Sequence, residues 1–181
     1  INLLYKIPEE PGVYTGLLQG LAENMPYNKV EFLNTIIVPI ELGKGHEYLD
    51  YNSLEAGQCK KYYFSVPAGA DTLHIKLKIL GTMNKLQGRA RIHLNDPQGK
   101  QYGISDYAGL ALEGQAANRE VKIIADKPDS GTWEVVVYSS AALGQYNLKK
   151  SDFVLSVKLQ ASQVYEYGLK EPDLIVGCAL P

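Results

Sequence analysis

Apolar and polar side chains alternate residue by residue along the middle of the chain. In residues 73–79, apolar side chains stand at every second position, and His74, Lys76 and Lys78 separate them. Successive side chains of a β-strand point to opposite faces, so this alternation predicts a strand with one buried face. Residues 62–66 repeat the pattern, and residues 67–70 supply a turn between the two segments. We therefore predict two consecutive strands joined as a hairpin.

The same alternation continues towards the carboxyl terminus. In residues 90–94 the apolar positions predict an inner face, while Arg89, Arg91 and His93 are predicted to lie on the outer, polar face. Only residues 110–117 could hold a turn or two of helix, and the glycines beside and within that segment oppose it. Further strands are predicted at residues 121–124, 133–137 and 153–159.

Short strands that are each apolar on one side can bury those sides only by packing face to face. The fold class is therefore predicted to be all-β, an antiparallel β-sandwich of jelly-roll type. Residues 48–161 are expected to form this sandwich, and Leu174, Ile175 and Val176 would add a closing strand. A length of 181 residues allows one sandwich plus a piece of another domain.

The first forty residues have a different character. Residues 12–18 and 35–40 predict two strands of a hairpin, and a long polar connection is expected between them, with Asn24, Pro26 and Asn28. Gly43, Lys44 and Gly45 are predicted to form a linker. The predicted division is a hairpin and linker over residues 1–43 and a sandwich domain over residues 44–181.

Charge and hydropathy exclude two classes of partner. The formal net charge is -2 and the lysines and arginines are scattered, so no concentrated basic surface for nucleic acid is expected. No apolar run approaches the roughly 20 residues needed to cross a bilayer, and no signal peptide is recognisable. Because the chain begins at Ile1 rather than at methionine, we expect a fragment of a longer polypeptide whose targeting information lies upstream.

Several short motifs resemble those of one protein family. Residues 11–16, Pro-Gly-Val-Tyr-Thr-Gly, followed by residues 37–40, Ile-Val-Pro-Ile, resemble the end of the fibronectin-like domain in large subtilases of the pyrolysin and tripeptidyl-peptidase II type. Residues 62–69 are similar to the opening of the next β-sandwich in that family. Residues 90–99 and 130–135 resemble strands of the P-domain and prepeptidase C-terminal jelly rolls that are appended to secreted proteases.

This resemblance implies a location and a role. The chain would be a non-catalytic accessory module of a secreted or cell-surface subtilisin-like serine protease, with the catalytic domain of the same polypeptide as its partner. It would stabilise or space that domain, or mediate self-association. The alternative is a module that binds carbohydrate or a cell surface. Trp133 is predicted to be a core anchor, and a polysaccharide-stacking platform is the alternative for this residue.

The segments that a catalytic subtilase domain requires do not occur in the sequence. Asp-x-Gly, His-Gly-Thr and Gly-Thr-Ser segments would supply the orienter, the base and the nucleophile, and none is present. His46, His74 and His93 lack such contexts, and Ser130 is expected to sit in a turn that lets Gly131 adopt an unusual backbone angle. We therefore predict no catalytic residue, no cofactor site and no enzymatic activity of the chain itself.

Two weak site candidates remain. Asp96, beside Asn95, and Asp106, beside Ser105, could offer oxygen ligands to a structural Ca²⁺, although aspartates are also common in turns for backbone reasons. Cys59 and Cys178 would form one disulfide if the protein is extracellular, and two buried free thiols are the alternative.

Overall fold

The computed structural model describes residues 8–22, 25–42, 47–82, 85–111 and 117–160. Within these ranges the chain forms thirteen strands and one short 3₁₀ helix, at Ala141–Tyr146. The strands are β1 (Gly12–Ala22), β2 (Met25–Val38), β3 (Glu47–Glu55), β4 (Cys59–Val66), β5 (Thr72–Ile79), β6 (Gly81–Thr82), β7 (Lys85–Leu86), β8 (Arg89–Asn95), β9 (Gln101–Ile104), β10 (Ala108–Gly109), β11 (Glu120–Asp126), β12 (Gly131–Ser139) and β13 (Lys150–Gln160).

Two antiparallel sheets pack face to face over one core. The four-stranded sheet has the order β11-β5-β13-β3, and the five-stranded sheet has the order β10-β8-β12-β4, with β9 added on β8. All pairs of named strands are antiparallel. The prediction of an all-β antiparallel sandwich preceded by a hairpin is confirmed.

The core forms where the alternating apolar positions of the two sheets meet. β5 and β13 supply the four-stranded sheet's share, and every second side chain along both strands is buried. The facing side chains come from β4, β8 and β12, and Phe64, Leu94 and Val135 are fully buried among them. Ile40 and Leu42 also pack against this core.

The predicted hairpin between β4 and β5 is wrong. β4 pairs with β12 in one sheet, and β5 pairs with β11 and β13 in the other, so residues 67–71 carry the chain across the sandwich. Alternation specifies which face of a strand is buried, but not which strand lies beside it. Both arrangements bury the same apolar side chains, and the crossover places β4 and β5 in opposite layers of one core.

The amino-terminal hairpin is longer than predicted. β1 and β2 pair from Gly12 opposite Val38 to Ala22 opposite Met25, so the expected long polar connection belongs largely to β2. The register shifts between Leu21 and Ala22. Residues 26–28 fall within that shift and have no partner in the register, which accommodates their turn-forming character.

The other local predictions have mixed outcomes. In the segment predicted as a helical turn, Leu110, Ala111 and Ala117 are not helical, and residues 112–116 lie outside the described residues. Residues 174–176, the predicted closing strand, also lie outside them. The domain boundary near residue 43 stays a prediction, although Ile40 already donates its N–H to the Tyr63 carbonyl at 2.6 Å. No helix in the described ranges is long and apolar enough to cross a membrane.

Candidate functional site

The outer face of the five-stranded sheet carries a hydrogen-bonded network centred on Glu134. β12 lies between β4 and β8, so the register sets Glu134 opposite Tyr63 on one side and Asn95 on the other. The Tyr63 hydroxyl donates to Oε1 at 3.0 Å, and the Asn95 amide donates to Oε2 at 2.6 Å. The Lys61 ammonium lies 2.8 Å from Oε1. The pairing of three strands thus brings four polar side chains together on one surface.

The network keeps Glu134 ionised. Burial alone would raise the pKa of the Glu134 carboxyl group, but the hydrogen bonds from Lys61, Asn95 and Tyr63 outweigh burial and hold that pKa below its ordinary value. The hydrogen bond to Glu134 also raises the pKa of Lys61. A general acid or base works best when its pKa lies near the operating pH. The pKa of Glu134 is lowered, away from neutral pH, so this carboxylate is better suited to linking the strands of the sheet.

A second carboxylate, Asp50, links the edges of the two sheets. It lies on the edge strand β3, and its Oδ2 accepts a hydrogen bond at 2.7 Å from the hydroxyl of Tyr62, on the facing edge strand β4. Lys60 and Asn52 donate to the same oxygen at 3.3 Å and 3.0 Å. Burial opposes ionisation of Asp50, but these donors lower its pKa below the ordinary value. Burial, followed by the contact with Asp50, raises the pKa of Tyr62 well above its ordinary value.

Arg89 lies on the outer face of β8, as predicted, but it is covered there by other residues. Its side chain is only 5% exposed, and its Nη1 donates to the Ser140 hydroxyl at 3.0 Å. The guanidinium carbon of Arg89 lies 3.5 Å from the centre of the Tyr107 ring, and that of Arg91 lies 4.9 Å from it. Tyr107 follows β9 and covers this part of the sheet. The alternation of side chains along β8 predicts which face carries Arg89, but it does not predict that Tyr107 covers that face.

A cavity of about 650 Å³ opens beside Arg89. Asp106, Tyr107 and Asn118 contribute polar groups to its wall. The remaining described lining is apolar or glycine: Gly109, Leu110, Ala111 and Ala117.

The structure does not bring Ser130, His74 and His93 together as a catalytic site. Ser130 lies exposed in the turn before β12, and Gly131 follows it with a φ of 134°. A Cβ atom at Gly131 would lie 2.9 Å from Pro97, so the predicted turn role is confirmed. His74 and His93 lie on strands of different sheets, and no hydrogen bond among the described residues joins either of them to Ser130. The third histidine, at position 46, lies outside the described residues.

The two calcium candidates lie in different environments. Asp96 Oδ1 accepts hydrogen bonds from the backbone N–H groups of Gln98 and Lys100, at 3.0 Å and 2.8 Å, which is the turn role of an aspartate. Asp106 is exposed at the cavity beside Arg89. Among the residues that the structure describes, no three His, Cys, Asp or Glu side chains come close enough to share a metal ion. Calcium at Asp96 or Asp106 stays a prediction.

The disulfide also stays a prediction. Cys59 begins β4 and is exposed, so it is not a buried thiol. Cys178 lies outside the described residues.

Trp133 is a core anchor, as predicted. Its side chain is 2% exposed, its Nε1 donates to the Asp129 carbonyl at 2.8 Å, and the Tyr102 ring packs edge-on against it at 5.4 Å. A polysaccharide platform built on Trp133 is therefore wrong, because the indole has no free face. Polysaccharide binding through another aromatic side chain stays a prediction, and Tyr51, on β3, is 72% exposed.

The hairpin of β1 and β2 exposes apolar side chains on both of its faces. Leu17 pairs with Leu33 on one face, and Leu18 pairs with Phe32 on the other. Leu33 is 72% exposed and Phe32 is 60% exposed. Both faces of this hairpin are therefore suited to contact with further protein.

No sequence pattern singles out Asp50 or Tyr107. Glu134 has a weak signal, because it is the charged residue in an otherwise apolar strand centre. Asp50 has none, since β3 lacks the alternation of the other strands. The role of Tyr107 depends on a loop that returns over β8, which no local pattern encodes.

No protein-family model matches the chain, and no curated protein matches it in sequence. Among solved structures, a crystal structure of tripeptidyl peptidase 2 matches 84% of this chain and 13% of its own, with a TM-score of 0.58 and 14% identity. The propeptide form of a Bacillus licheniformis lipase matches 65% of this chain and 22% of its own, with a TM-score of 0.44 and 16% identity. PliG of Aeromonas hydrophila, a periplasmic inhibitor of g-type lysozyme, matches 68% of this chain and 95% of its own, with a TM-score of 0.44 and 22% identity. These are likenesses of fold.

Proposed function

We propose that this chain is a non-catalytic accessory β-sandwich of a secreted subtilisin-like serine protease. In this role it stabilises or spaces the catalytic domain of the same polypeptide, or mediates assembly. The superposition on tripeptidyl peptidase 2 carries the proposal, because it spans most of this chain and a small part of a large peptidase. The motif order described above points to the same family independently of the superposition.

The two faces of the hairpin support attachment to a larger protein. A two-stranded hairpin is marginally stable alone in water, and each exposed leucine or phenylalanine that becomes covered contributes about 1.5–3 kcal/mol. Val13, Leu17 and Leu33 on one face and Val30 and Phe32 on the other are exposed. Coverage of both faces by neighbouring segments of a protease would bury them.

The closed core supports a mechanical role. The buried side chains between the two sheets are mainly apolar, and the carboxylates Asp50 and Glu134 are held by structural donors. These features stabilise a module, and none of them supplies a reacting group at a substrate site.

The parent polypeptide provides the first test. Sequencing the coding region upstream of the Ile1 codon should reveal, in frame, the Asp-x-Gly, His-Gly-Thr and Gly-Thr-Ser segments of a subtilase. A start codon at this position, or an upstream frame without these three segments, would refute the proposal.

The second test measures the role in the parent protease. Deletion of residues 47–160 should leave the initial rate on a short peptide substrate within about twofold, while the half-life at elevated temperature or the oligomer mass falls. A matched control replaces Lys76, an exposed residue of the outer face, with glutamine and should change neither property. A deletion that abolishes the rate of freshly folded enzyme without altering stability or assembly would contradict an accessory role.

A further inference from the structure

Ser53, on the edge strand β3, has a main-chain N–H that the sheet ladder does not use. Ser53 lies opposite Asp152 of β13. The Asp152 N–H donates to the Gln87 carbonyl at 2.8 Å, and the Asp152 carbonyl accepts from the Leu80 N–H at 2.9 Å. Both bonds lie on the side of β13 that faces away from β3. Bonded and unbonded pairs alternate along an antiparallel ladder, so the Ser53 N–H points out of the sheet edge.

The side chain of Asn52 is held against this N–H. The Ser53 N–H donates to Asn52 Oδ1 at 2.8 Å, and Asn52 Nδ2 donates to Asp50 Oδ2 at 3.0 Å. Only this orientation of the amide satisfies both partners, because the carboxylate accepts and the N–H donates. The two bonds place the amide carbon Cγ of Asn52 beside the main-chain nitrogen of Ser53.

These two atoms are the reacting pair of asparagine deamidation. The Ser53 nitrogen loses its proton to hydroxide and attacks Cγ of Asn52, so that a nitrogen–carbon bond forms. The bond between Cγ and Nδ2 breaks, and ammonia leaves with a proton taken from water. Water then opens the cyclic imide at either carbonyl, which gives aspartate or isoaspartate. Water is the only co-reactant, and fixed contact between the reacting atoms favours the first step.

We propose that Asn52 is a site of spontaneous deamidation, and that its conversion loosens the link between the two sheets. The product carboxylate replaces a donor to Asp50 with a second negative charge. Repulsion then weakens the bond of 2.7 Å by which Tyr62, on the facing sheet, reaches Asp50. Isoaspartate also adds one carbon to the main chain before Ser53, which displaces Leu54 from its place opposite Ser151. This inference is independent of the proposed accessory role.

The pair Asn95–Asp96 is a matched comparison within the same chain. Asp96 also has a short side chain, but its N–H donates to the Lys100 carbonyl at 2.9 Å. The Asn95 amide is held away from it by a bond of 2.6 Å to Glu134 Oε2. The folded structure should therefore protect Asn95 and leave Asn52 reactive.

The test is peptide mapping of the whole chain after incubation at pH 8.5, once in native buffer and once in concentrated urea. Mass spectrometry measures conversion of amide to acid at Asn52 and Asn95, and enzymatic methylation detects isoaspartate. We expect the ratio of conversion at Asn52 to conversion at Asn95 to be at least tenfold higher in the folded protein than in urea. Conversion at pH 6.5 should be severalfold slower, because the attacking nitrogen must lose its proton.

Two variants test the role of the attacking nitrogen. Ser53→Val places a stiff, branched side chain beside that nitrogen and suits a strand, so it should slow conversion at Asn52 at least fivefold. Ser156→Val, the same substitution on the neighbouring strand, should leave conversion unchanged. Equal slowing by both variants would contradict the mechanism.

Stability provides the readout for the loosened link. Asn52→Asp and the aged wild-type protein should both have a lower urea midpoint than fresh protein. The proposal is overturned if Asn52 is not converted, if the ratio to Asn95 is the same in native buffer and in urea, if no isoaspartate forms, or if Asn52→Asp has the wild-type midpoint. The wild-type maps decide even if Ser53→Val does not fold.

Discussion

Ser151 joins the two sheets through hydrogen bonds at one end of the sandwich. Its hydroxyl accepts from the Arg89 backbone N–H at 3.0 Å and donates to the Arg89 carbonyl at 3.1 Å. The Ser139 hydroxyl lies 2.9 Å away and completes its bonding. One donor and two acceptor positions of a buried hydroxyl are therefore all used. This small side chain connects β13 to β8 and β12.

Replacement of Ser151 by alanine should lower the free energy of unfolding by about 1–3 kcal/mol, because buried donors and acceptors lose their partner. Urea unfolding followed by the fluorescence of Trp133, the single tryptophan, measures the change. Ser156→Ala on the same strand is the control, since its hydroxyl bonds an exposed Glu47 carboxylate, and it should stay within about 0.5 kcal/mol of wild type. Equal effects of the two variants would contradict a special role for Ser151.

Gly88 permits the close approach of Ser151. Its φ is 143°, and an added Cβ would lie 2.5 Å from the Ser151 Cα atom. Gly88→Ala should therefore cost more than about 3 kcal/mol or prevent folding, because a backbone atom cannot yield. Gly144→Ala has open space around it and should be neutral or slightly stabilising. Thermal unfolding of both variants provides the measurement, and a Gly88→Ala protein of native stability would refute the geometry.

The Glu134 network should make stability depend on pH. The folded-state pKa of Glu134 lies below its ordinary value, so its stabilising contribution is full above that ordinary value, roughly pH 4, and is lost as pH falls through the folded pKa. Urea midpoints measured between pH 7 and pH 2 should fall less steeply in Glu134→Gln than in wild type. Asp50 has a lowered pKa as well and should account for part of the remaining slope. An identical slope in both proteins would contradict the assignment.

At the scale of elements, alternation predicts strands where the inner positions are apolar. β5, β8 and β13 satisfy that condition, and their segments are found as predicted. Alternation does not predict β3, because the polar residues Asp50 and Asn52 occupy inner-side positions of this edge strand. Side-chain hydrogen bonds replace apolar contacts at these positions. Alternation also does not predict that the chain crosses between the sheets from β4 to β5, because a turn sequence does not determine which sheet the next strand joins.

The apolar faces of the β1–β2 hairpin should contribute to association and not to the stability of the sandwich. Leu17 and Leu33 form a cross-strand pair and are both exposed. The double variant Leu17→Thr/Leu33→Thr should reduce binding of a hydrophobic dye at least twofold, while the Trp133-detected unfolding midpoint stays within about 1 °C. A control with the core substitution Leu155→Thr should lower that midpoint by several degrees. A large fall in the midpoint of the hairpin variant would show that these leucines support the core.

At the scale of the molecule, the pairing of distant strands should make folding slow. β4 pairs with β12, and Tyr63 of β4 hydrogen-bonds Glu134 of β12. Loop closure must precede such contacts, so sandwiches of this kind refold on the order of milliseconds to seconds. Stopped-flow dilution from urea with Trp133 detection should find its main phase in this range. A complete recovery of fluorescence within microseconds would contradict the topology.

The polar sites could be foreseen less well than the fold. The alternation of apolar and polar residues is a local property of the sequence, and it is enough to predict a β-sandwich. The contacts of Glu134 with Tyr63 and of Arg89 with Ser140 each join segments far apart along the chain, so they follow only from the strand order. Asp50 contacts Tyr62, only 12 residues away, but this contact crosses from one sheet to the other. The same holds for Tyr107, whose cover over Arg89 comes from a returning loop.

The strand order has a consequence for synthesis on the ribosome. β12 lies at the centre of one sheet and β13 at the centre of the other, and both are translated after almost all of their neighbours. β3, β4, β5 and β8 therefore leave the exit tunnel with no central strand to receive their hydrogen bonds. The five-stranded layer cannot close until residue 139 has emerged, and the four-stranded layer cannot close until residue 160 has emerged. A nascent chain of this sequence therefore exposes its future interior for most of the time during which it is made, and holdase chaperones have that whole interval in which to bind it.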